Sequence, residues 1–305
     1  MRCAVLNKLP AVSIGMPVYN GAETLERVLE SLAHQSFADF ELIISDNNST
    51  DDTAAICIDY AKKDPRVRYF RQPVNIGSGL NFKFVLDQAL APYFMWAAAD
   101  DIRSTDWLQV NYEFLRANPR YVASTSPNGF EGCSLDSADL VRFSLEGDVC
   151  NRLHRFFDHC WLSHGIFYSL IRTGILRGCD VIGRSFIAAD WAIDLYLARH
   201  GEIYRTSEGL TVFGIHGVSN GNDAYKAFRN SRIELLFPFM AMTWYAFSLT
   251  RGLPLFCRAQ MIWILTRFNV LVAFGQIRSG LHFVYRAIFK PVEGASRNPA
   301  GGKDC

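Results

Sequence analysis

Five short apolar runs, at residues 11–18, 40–45, 67–70, 93–99 and 121–125, alternate with helix-patterned stretches through the first 125 residues. Alternation with links this short dictates a mainly parallel sheet covered by helices, because each crossover must return over the sheet. The first run meets Pro17, which cannot donate to a central ladder, so the strand is expected to break there into a loop. Leu25, Val28, Leu29 and Leu32 then form one apolar stripe at i, i+3, i+4 and i+7, with Glu23, Glu26, Arg27 and Glu30 on the wet face.

The second run ends in the most polar stretch of this half, Asp46-Asn47-Asn48-Ser49-Thr50-Asp51-Asp52-Thr53. Ser49-x-x-Asp52 predicts a capped helix start, and Asp46 and Asn47 precede it as either an Asx turn or a ligand contact. Asn75-Ile76-Gly77-Ser78-Gly79 leads into a helix with Phe82, Val85, Leu86 and Ala89 on one face. That loop is neither GxGxxG nor a P-loop. The fourth run, Tyr93-Phe94-Met95-Trp96-Ala97-Ala98-Ala99, stops at Asp100-Asp101. Paired carboxylates at the carboxyl end of a central strand suit a hard divalent cation, and equally a helix cap with a solvated neighbour. A helix carrying Leu108, Tyr112 and Leu115 on one face follows. The loops after Tyr19, Ser45 and Ala99 are therefore expected on one edge.

Met16-Pro17-Val18-Tyr19-Asn20, Ser45-Asp46-Asn47-Asn48-Ser49-Thr50-Asp51, Asn75-Ile76-Gly77 and Ala99-Asp100-Asp101 resemble, in order and spacing, the family 2 glycosyltransferases of GT-A fold. The likeness is good over residues 11 to about 125 and looser to about 220. It implies an α/β, Rossmann-like, mainly parallel sheet flanked by helices, here with a C-terminal apolar helical extension. It also implies a nucleoside diphosphate sugar as donor, framed by Pro17, Tyr19, Asn20, Asp46, Asn47, Asn75, Gly77 and Asp100, and a divalent metal, Mn2+ or Mg2+, on Asp101. Asn47 stands where many relatives have Asp, which loosens the expectation that the base is uracil.

The second half is less legible, and residues 126–160 give no clear element. Residues 161–172 read as a strand returning to the sheet, with His164 either facing an acceptor or serving as an ordinary core or surface histidine. In the stretch 188–201, Ile193, Tyr196 and Leu197 share a helix face and Gly201 marks its end. Asp190 reads as an N-cap or, by the resemblance, as the catalytic base of an inverting transfer, with Ala189 replacing the acid that relatives carry beside it. Asp194, a turn further on, is not expected to act. Likewise by resemblance, residues 213–220 form a closing segment in which His216 reaches the metal or diphosphate, although Gly214 replaces a basic residue. From residue 233 the chain turns apolar and aromatic, punctuated by single arginines. No uninterrupted apolar run reaches the roughly 18 to 20 residues of a spanning helix. Helices lying on the inner membrane surface are expected, against the alternative of an ordinary helical subdomain or oligomer contact.

The expected organisation is a catalytic domain at 1–230, a helical and membrane-associated extension at 231–292, and a flexible tail at 293–305. The formal net charge is +1, which gives no general attraction to nucleic acid. Eight cysteines without CxxC spacing read as reduced thiols. With no signal peptide apparent before Pro10, the expectation is a cytoplasmic protein, peripheral on the membrane, using a glycan or lipid-linked acceptor; the oligomeric state is open. Two rivals are a nucleotidyltransferase, for which the loop after the first strand lacks cations, and a catalytically inactive glycan-binding or scaffolding protein.

Overall fold

The structure is a computed structural model and describes residues 9–136, 139–214, 234 and 237–289. In chain order β1 (Val12–Val18), α1 (Ala22–Ala33), β2 (Phe40–Asp46), α2 (Thr53–Lys63), β3 (Val67–Arg71), α3 (Ser78–Asp87) and β4 (Tyr93–Trp96) follow the expected alternation. Next come β5 (Ile102–Arg103), α4 (Trp107–Ala117), β6 (Tyr121–Thr125), β7 (Asn128–Phe130), α5 (Val149–His159), α6 (His164–Phe167), β8 (Leu170–Arg172) and α7 (Thr173–Leu176). The last elements are α8 (Ala189–His200), β9 (Glu202–Arg205), β10 (Thr211–Phe213), α9 (Met240–Ser248) and α10 (Leu255–Phe289).

Seven strands form the main sheet in the order β3-β2-β1-β4-β8-β6-β9, and β5-β10-β7 form a small second sheet. Every main-sheet pairing is parallel except those of β8, which runs antiparallel to both β4 and β6. All seven residues of β2 are buried, as a strand covered on both faces must be. The α1 stripe is buried as its spacing predicts. The chain reverses direction across the sheet between β1 and β4, and the crevice outside the carboxyl ends at such a point is where ligands bind.

Several expectations need correction. Pro17 does not end β1, which stays paired with β2 to Val18. Val18 O accepts from Asn47 N while Gly15 O accepts from Ala97 N, so alternate residues face β2 and β4. Pro17 therefore faces β4, whose pairing has already stopped at Gly15, and its missing N–H leaves no gap. The fourth strand ends at Trp96 rather than Ala99. Of residues 161–172 only the last three are strand; a 3₁₀ turn (Cys160–Leu162) and the short α6 precede it, burying Ile166 and Phe167. Asp52 makes no side-chain cap bond at α2; Asp51 Oδ1 accepts from Thr53 N instead. The cysteines are not all thiols. Cys150 and Cys257 form a disulfide joining α5 to α10 across 107 residues of sequence, a contact that no spacing rule exposes. Arg258 and Arg267 interrupt the apolar runs without interrupting the helix. Among the described residues, one stretch, Leu255–Gly275, is long and apolar enough by length and composition to cross a membrane.

Phe239, Met242 and Ala246 near or on α9, and Met261 and Leu265 on α10, join the same apolar cluster as Phe156 of α5 and Leu195 of α8. The C-terminal helices are thus packed on the sheet-bearing body through one face.

Candidate active site

The carboxyl ends of β1, β2 and β4 carry the polar loops. On the β1–β2 side the loops bind one another. Asn20, held in the left-handed region at φ 50°, donates its N–H to Ser49 Oγ and accepts from Thr50 N through Oδ1, at 2.9 and 2.8 Å. Asp46 is fully buried; its Oδ1 accepts from Ser49 N at 2.8 Å and its Oδ2 from the Tyr69 hydroxyl at 2.9 Å. Asn47 donates from Nδ2 to Asn75 Oδ1 at 3.0 Å and accepts from Ile76 N at 2.8 Å. Asn75 Oδ1 also takes Gly77 N at 2.9 Å, and Gly77 turns the chain at φ 83°, where glycine alone is at ease. Asp46, Asn47 and Asn75 hold the loops in shape. Tyr19 is half exposed and Pro17 half-buried.

The acid pair begins the other side. Thr24 Oγ1 of α1 donates to Ala99 O at 2.6 Å and fixes the loop that presents Asp100 and Asp101. Asp101 is buried; Oδ1 accepts from Gly214 N at 3.2 Å, and Oδ2 has no partner. Burial, with the neighbouring charge of Asp100, pushes its pKa up to about 7 against the opposing pull of Arg103. A Cβ at Gly214 would stand 2.5 Å from Asp100 Oδ2, so any side chain here, including the basic one expected, would collide with the acid pair. Arg103 is also buried. Its Nη2 donates to Trp96 O at 3.3 Å and its guanidinium lies 5.3 Å over the Trp107 ring, while Nε and Nη1 have no partner.

Asp190 is the second residue of α8, after Ala188 at φ 62°, and is not the helix cap. Burial raises its pKa, opposed by the Trp191 backbone and by His164. His164 shifts the other way, lowered by burial and raised by Asp190. Both residues are nevertheless solvent-exposed, so the burial felt here is crowding by neighbouring protein, and water moderates the push of each toward its neutral form. The Tyr168 hydroxyl joins the two halves: after burial, the charges of Asp101, Asp100 and Asp190 raise its pKa in turn. The charges of three carboxylates from two distant stretches therefore act on one hydroxyl. Asp194 and Arg205 are also buried; burial and the charge of Asp190 push the Asp194 carboxyl well up against a hydrogen bond from Ser163 and the charge of Arg205, and Arg205 Nη2 has no hydrogen-bond partner.

The structure thus gathers Pro17, Tyr19, Asn20, Asp46, Asn47, Asn75 and Gly77 on one flank and Asp100, Asp101, His164 and Asp190 on the other. His216 lies outside the described residues. Arg103, Tyr168 and Arg205 escaped sequence reasoning. Arg103, two places after the acid pair, could have been found as its compensating charge, whereas Tyr168 sits in an apolar run without a signal. Asp101 with its orphan oxygen, beside Asp100, fits one hard divalent cation completed by ligand oxygens. Among the described residues no cluster of three or more His, Cys, Asp or Glu side chains could hold a metal alone.

Known proteins resemble the chain in sequence and in fold. An uncharacterized glycosyltransferase of Haemophilus influenzae is 34% identical over 110 residues, 36% of this chain and 44% of that protein. The GalNAc(5)-diNAcBac-PP-undecaprenol beta-1,3-glucosyltransferase of Campylobacter jejuni is 35% identical over 94 residues, 30% of each chain. The matched stretches span less than half the length of these relatives. The crystal structure of Staphylococcus aureus TarS 1–349 in complex with UDP-GlcNAc superposes with a TM-score of 0.65 at 18% identity, covering 92% of this chain and 76% of that one, which shows the shared fold. The model of "Glycosyl transferase family 2" matches residues 13–167, about half of the chain. With the acid pair, the Asp46 loop and strands β1, β2, β3, β4 and β6 all inside or bordering that stretch, the chain belongs to glycosyltransferase family 2.

Proposed function

We propose that the chain is an inverting, metal-dependent transferase that moves a sugar, from UDP in preference to other nucleotides, to an acceptor hydroxyl on a growing glycan or a lipid-linked sugar. It works as a peripheral protein on the cytoplasmic face of a membrane. The observation that carries the chemistry is the buried Asp101, with its unpartnered Oδ2 beyond the carboxyl end of β4, together with Asp190, 89 positions on in sequence, at the start of α8, the charges of both acting on the Tyr168 hydroxyl.

Tyr19 and Asn20 receive the base and ribose, on loops that Asp46, Asn47, Asn75 and Gly77 hold in place before the donor arrives. Asp100 reaches the ribose or sugar. A divalent ion, Mn2+ or Mg2+, held by Asp101 and joined by His216, would supply positive charge to the diphosphate as it departs. Asp190 accepts the proton of the acceptor hydroxyl while that oxygen bonds to the anomeric carbon and the bond from that carbon to the phosphate oxygen breaks. Its raised pKa makes the ionised carboxylate a stronger base. His164 borders the same space and orients the acceptor. No covalent enzyme intermediate is needed.

Release of nucleoside diphosphate from a panel of nucleotide sugars, with Mn2+ or Mg2+ and with and without membrane extract, tests this reading. Asp190→Asn is expected to keep nucleotide affinity within about twofold and lose turnover by about 10² to 10⁴-fold. Asp101→Ala is expected to lose nucleotide binding. Undiminished transfer by Asp190→Asn would remove the base assignment.

A further inference from the structure

Helix α10 has two unlike faces. Cys257, Met261 and Leu265 are buried against the body, and Cys257 is bonded to Cys150. Leu255, Phe256, Trp263 and Phe274 are 80, 72, 62 and 67% exposed, and Ile262 and Val270 are exposed beside them. At about 100° per residue these six fall within an arc of about 120°, opposite the buried side, and Leu271, also exposed, lies about 60° beyond one edge of it. Arg258 and Arg267 fall on either flank of that arc, Arg258 over the Phe247 ring at 5.7 Å and Arg267 over Trp263 at 5.4 Å. The surrounding sequence has one sign of charge: residues 235–292 contain no Asp or Glu, and six cations, Arg251, Arg258, Arg267, Arg278, Arg286 and Lys290.

We propose that α10 lies in the plane of an anionic phospholipid leaflet, with Leu255, Phe256, Ile262, Trp263, Val270 and Phe274 in the acyl boundary and its arginines on the head groups. The inference rests on the peripheral reading above and deepens it, naming the face, the lipid charge and the helix orientation. An in-plane helix needs one apolar face flanked by cations whose stems reach up to the phosphates, and that is what this outward arc presents. A spanning helix needs lipid or protein partners all round, yet the inward face is already committed to α5 and α9 in the soluble body. A second copy of the chain would bring an equally cationic surface against this one, whereas anionic lipid complements it, at about 1 kcal/mol for each cation near the surface.

Flotation of the purified full chain with vesicles of phosphatidylcholine alone, or with one-third phosphatidylglycerol, decides the matter. The expected result is flotation only with the anionic vesicles, weakened by high salt and released by alkaline carbonate. Phe256→Glu/Trp263→Glu should cut the bound fraction at least tenfold with an unchanged melting temperature, because both side chains are exposed. A wild-type chain that stays at the bottom of the gradient removes the peripheral reading itself. Flotation that the double variant retains overturns the assigned face, and carbonate-resistant flotation overturns the in-plane orientation. Concentration-dependent dimerisation abolished by the same variant, without flotation, would assign the face to a second copy. Diphosphate release in detergent reports separately on the transferase reading.

Discussion

The two flanks of the crevice treat their buried polar atoms in opposite ways. On the flank built from β1, β2 and β3, every buried side-chain polar atom among the described residues has a partner, down to the two bonds on Asp46 and the two on the Asn47 amide. From Asp101 onward the orphans begin: Asp101 Oδ2, Arg103 Nε and Nη1, and Arg205 Nη2. A buried polar group left unpaired costs about 1 to 3 kcal/mol, so such groups persist where something else repays them. The first flank is a finished mould, ready for a donor that arrives already shaped. The second flank is built to be completed by bound charge and by the acceptor.

The largest expected effect comes from removing a charge on the unfinished flank. Arg205 Nε donates to Phe143 O at 3.2 Å and Nη1 to Ser126 O at 2.7 Å and to Asn128 Oδ1. A Cβ at Gly165, next to His164, would stand 2.8 Å from its Nη1. The guanidinium thus supports α6 from below while facing Asp194 on the Asp190 helix. Arg205→Met should destabilise the fold by about 3 to 5 kcal/mol in chemical denaturation, the cost of leaving its buried acceptors unpaired and the nearby Asp194 charge uncompensated. Arg205→Met/Asp194→Asn should recover part of that loss. A single variant as stable as the parent would show that the flank does not depend on its buried charges.

A pH dependence separates the flanks next. Asp101 has its pKa raised from 3.8 to about 7. A carboxylate raised in this way contributes stability that is full below its unfolded pKa and is lost as pH rises through the folded value. At about 1.4 kcal/mol per unit, the metal-free protein should lose a few kcal/mol between about pH 4 and pH 7. Asp101→Asn, which stays neutral, should flatten that slope in a melting-temperature series and raise the melting temperature at pH 8. Equal slopes in parent and variant would mean that Asp101 is not the strained acid.

The finished flank was also the legible one, for the same physical reason. Its elements are local: the α1 stripe, the β2 run and the loop from Asp46 to Thr53 announce themselves within a few turns of chain. The Asp100–Asp101 pair could be read because it ends an apolar strand. The other flank is assembled from residues that meet only in space, Arg103 with Tyr168 and Asp194 with Arg205. Residues 161–172 misled because Ile166 and Phe167 are buried by a short helix turn as fully as a strand would bury them. Asp190 was legible as one of two things, and only the αL residue before α8 moved it inside the helix.

The smallest effect tests whether the finished flank is as finished as it looks. Asn47 presents an amide that both donates, to Asn75 Oδ1, and accepts, from Ile76 N. Asn47→Asp restores the acid of many relatives and keeps the acceptor, but places a carboxylate oxygen against Asn75 Oδ1. If the Asn75 amide turns over to donate to the new carboxylate, Gly77 N loses the acceptor it has now. Either way one hydrogen bond is lost, worth about 0.5 to 1.5 kcal/mol. The melting temperature should fall slightly, and nucleotide affinity should fall with it, because the Asn75–Gly77 turn is part of the mould. If affinity falls while stability holds, Asn47 touches the nucleotide and its bonds to the turn break on binding. If neither changes, the turn is held by Gly77 and its backbone alone, and the contrast between the two flanks rests on Asp46.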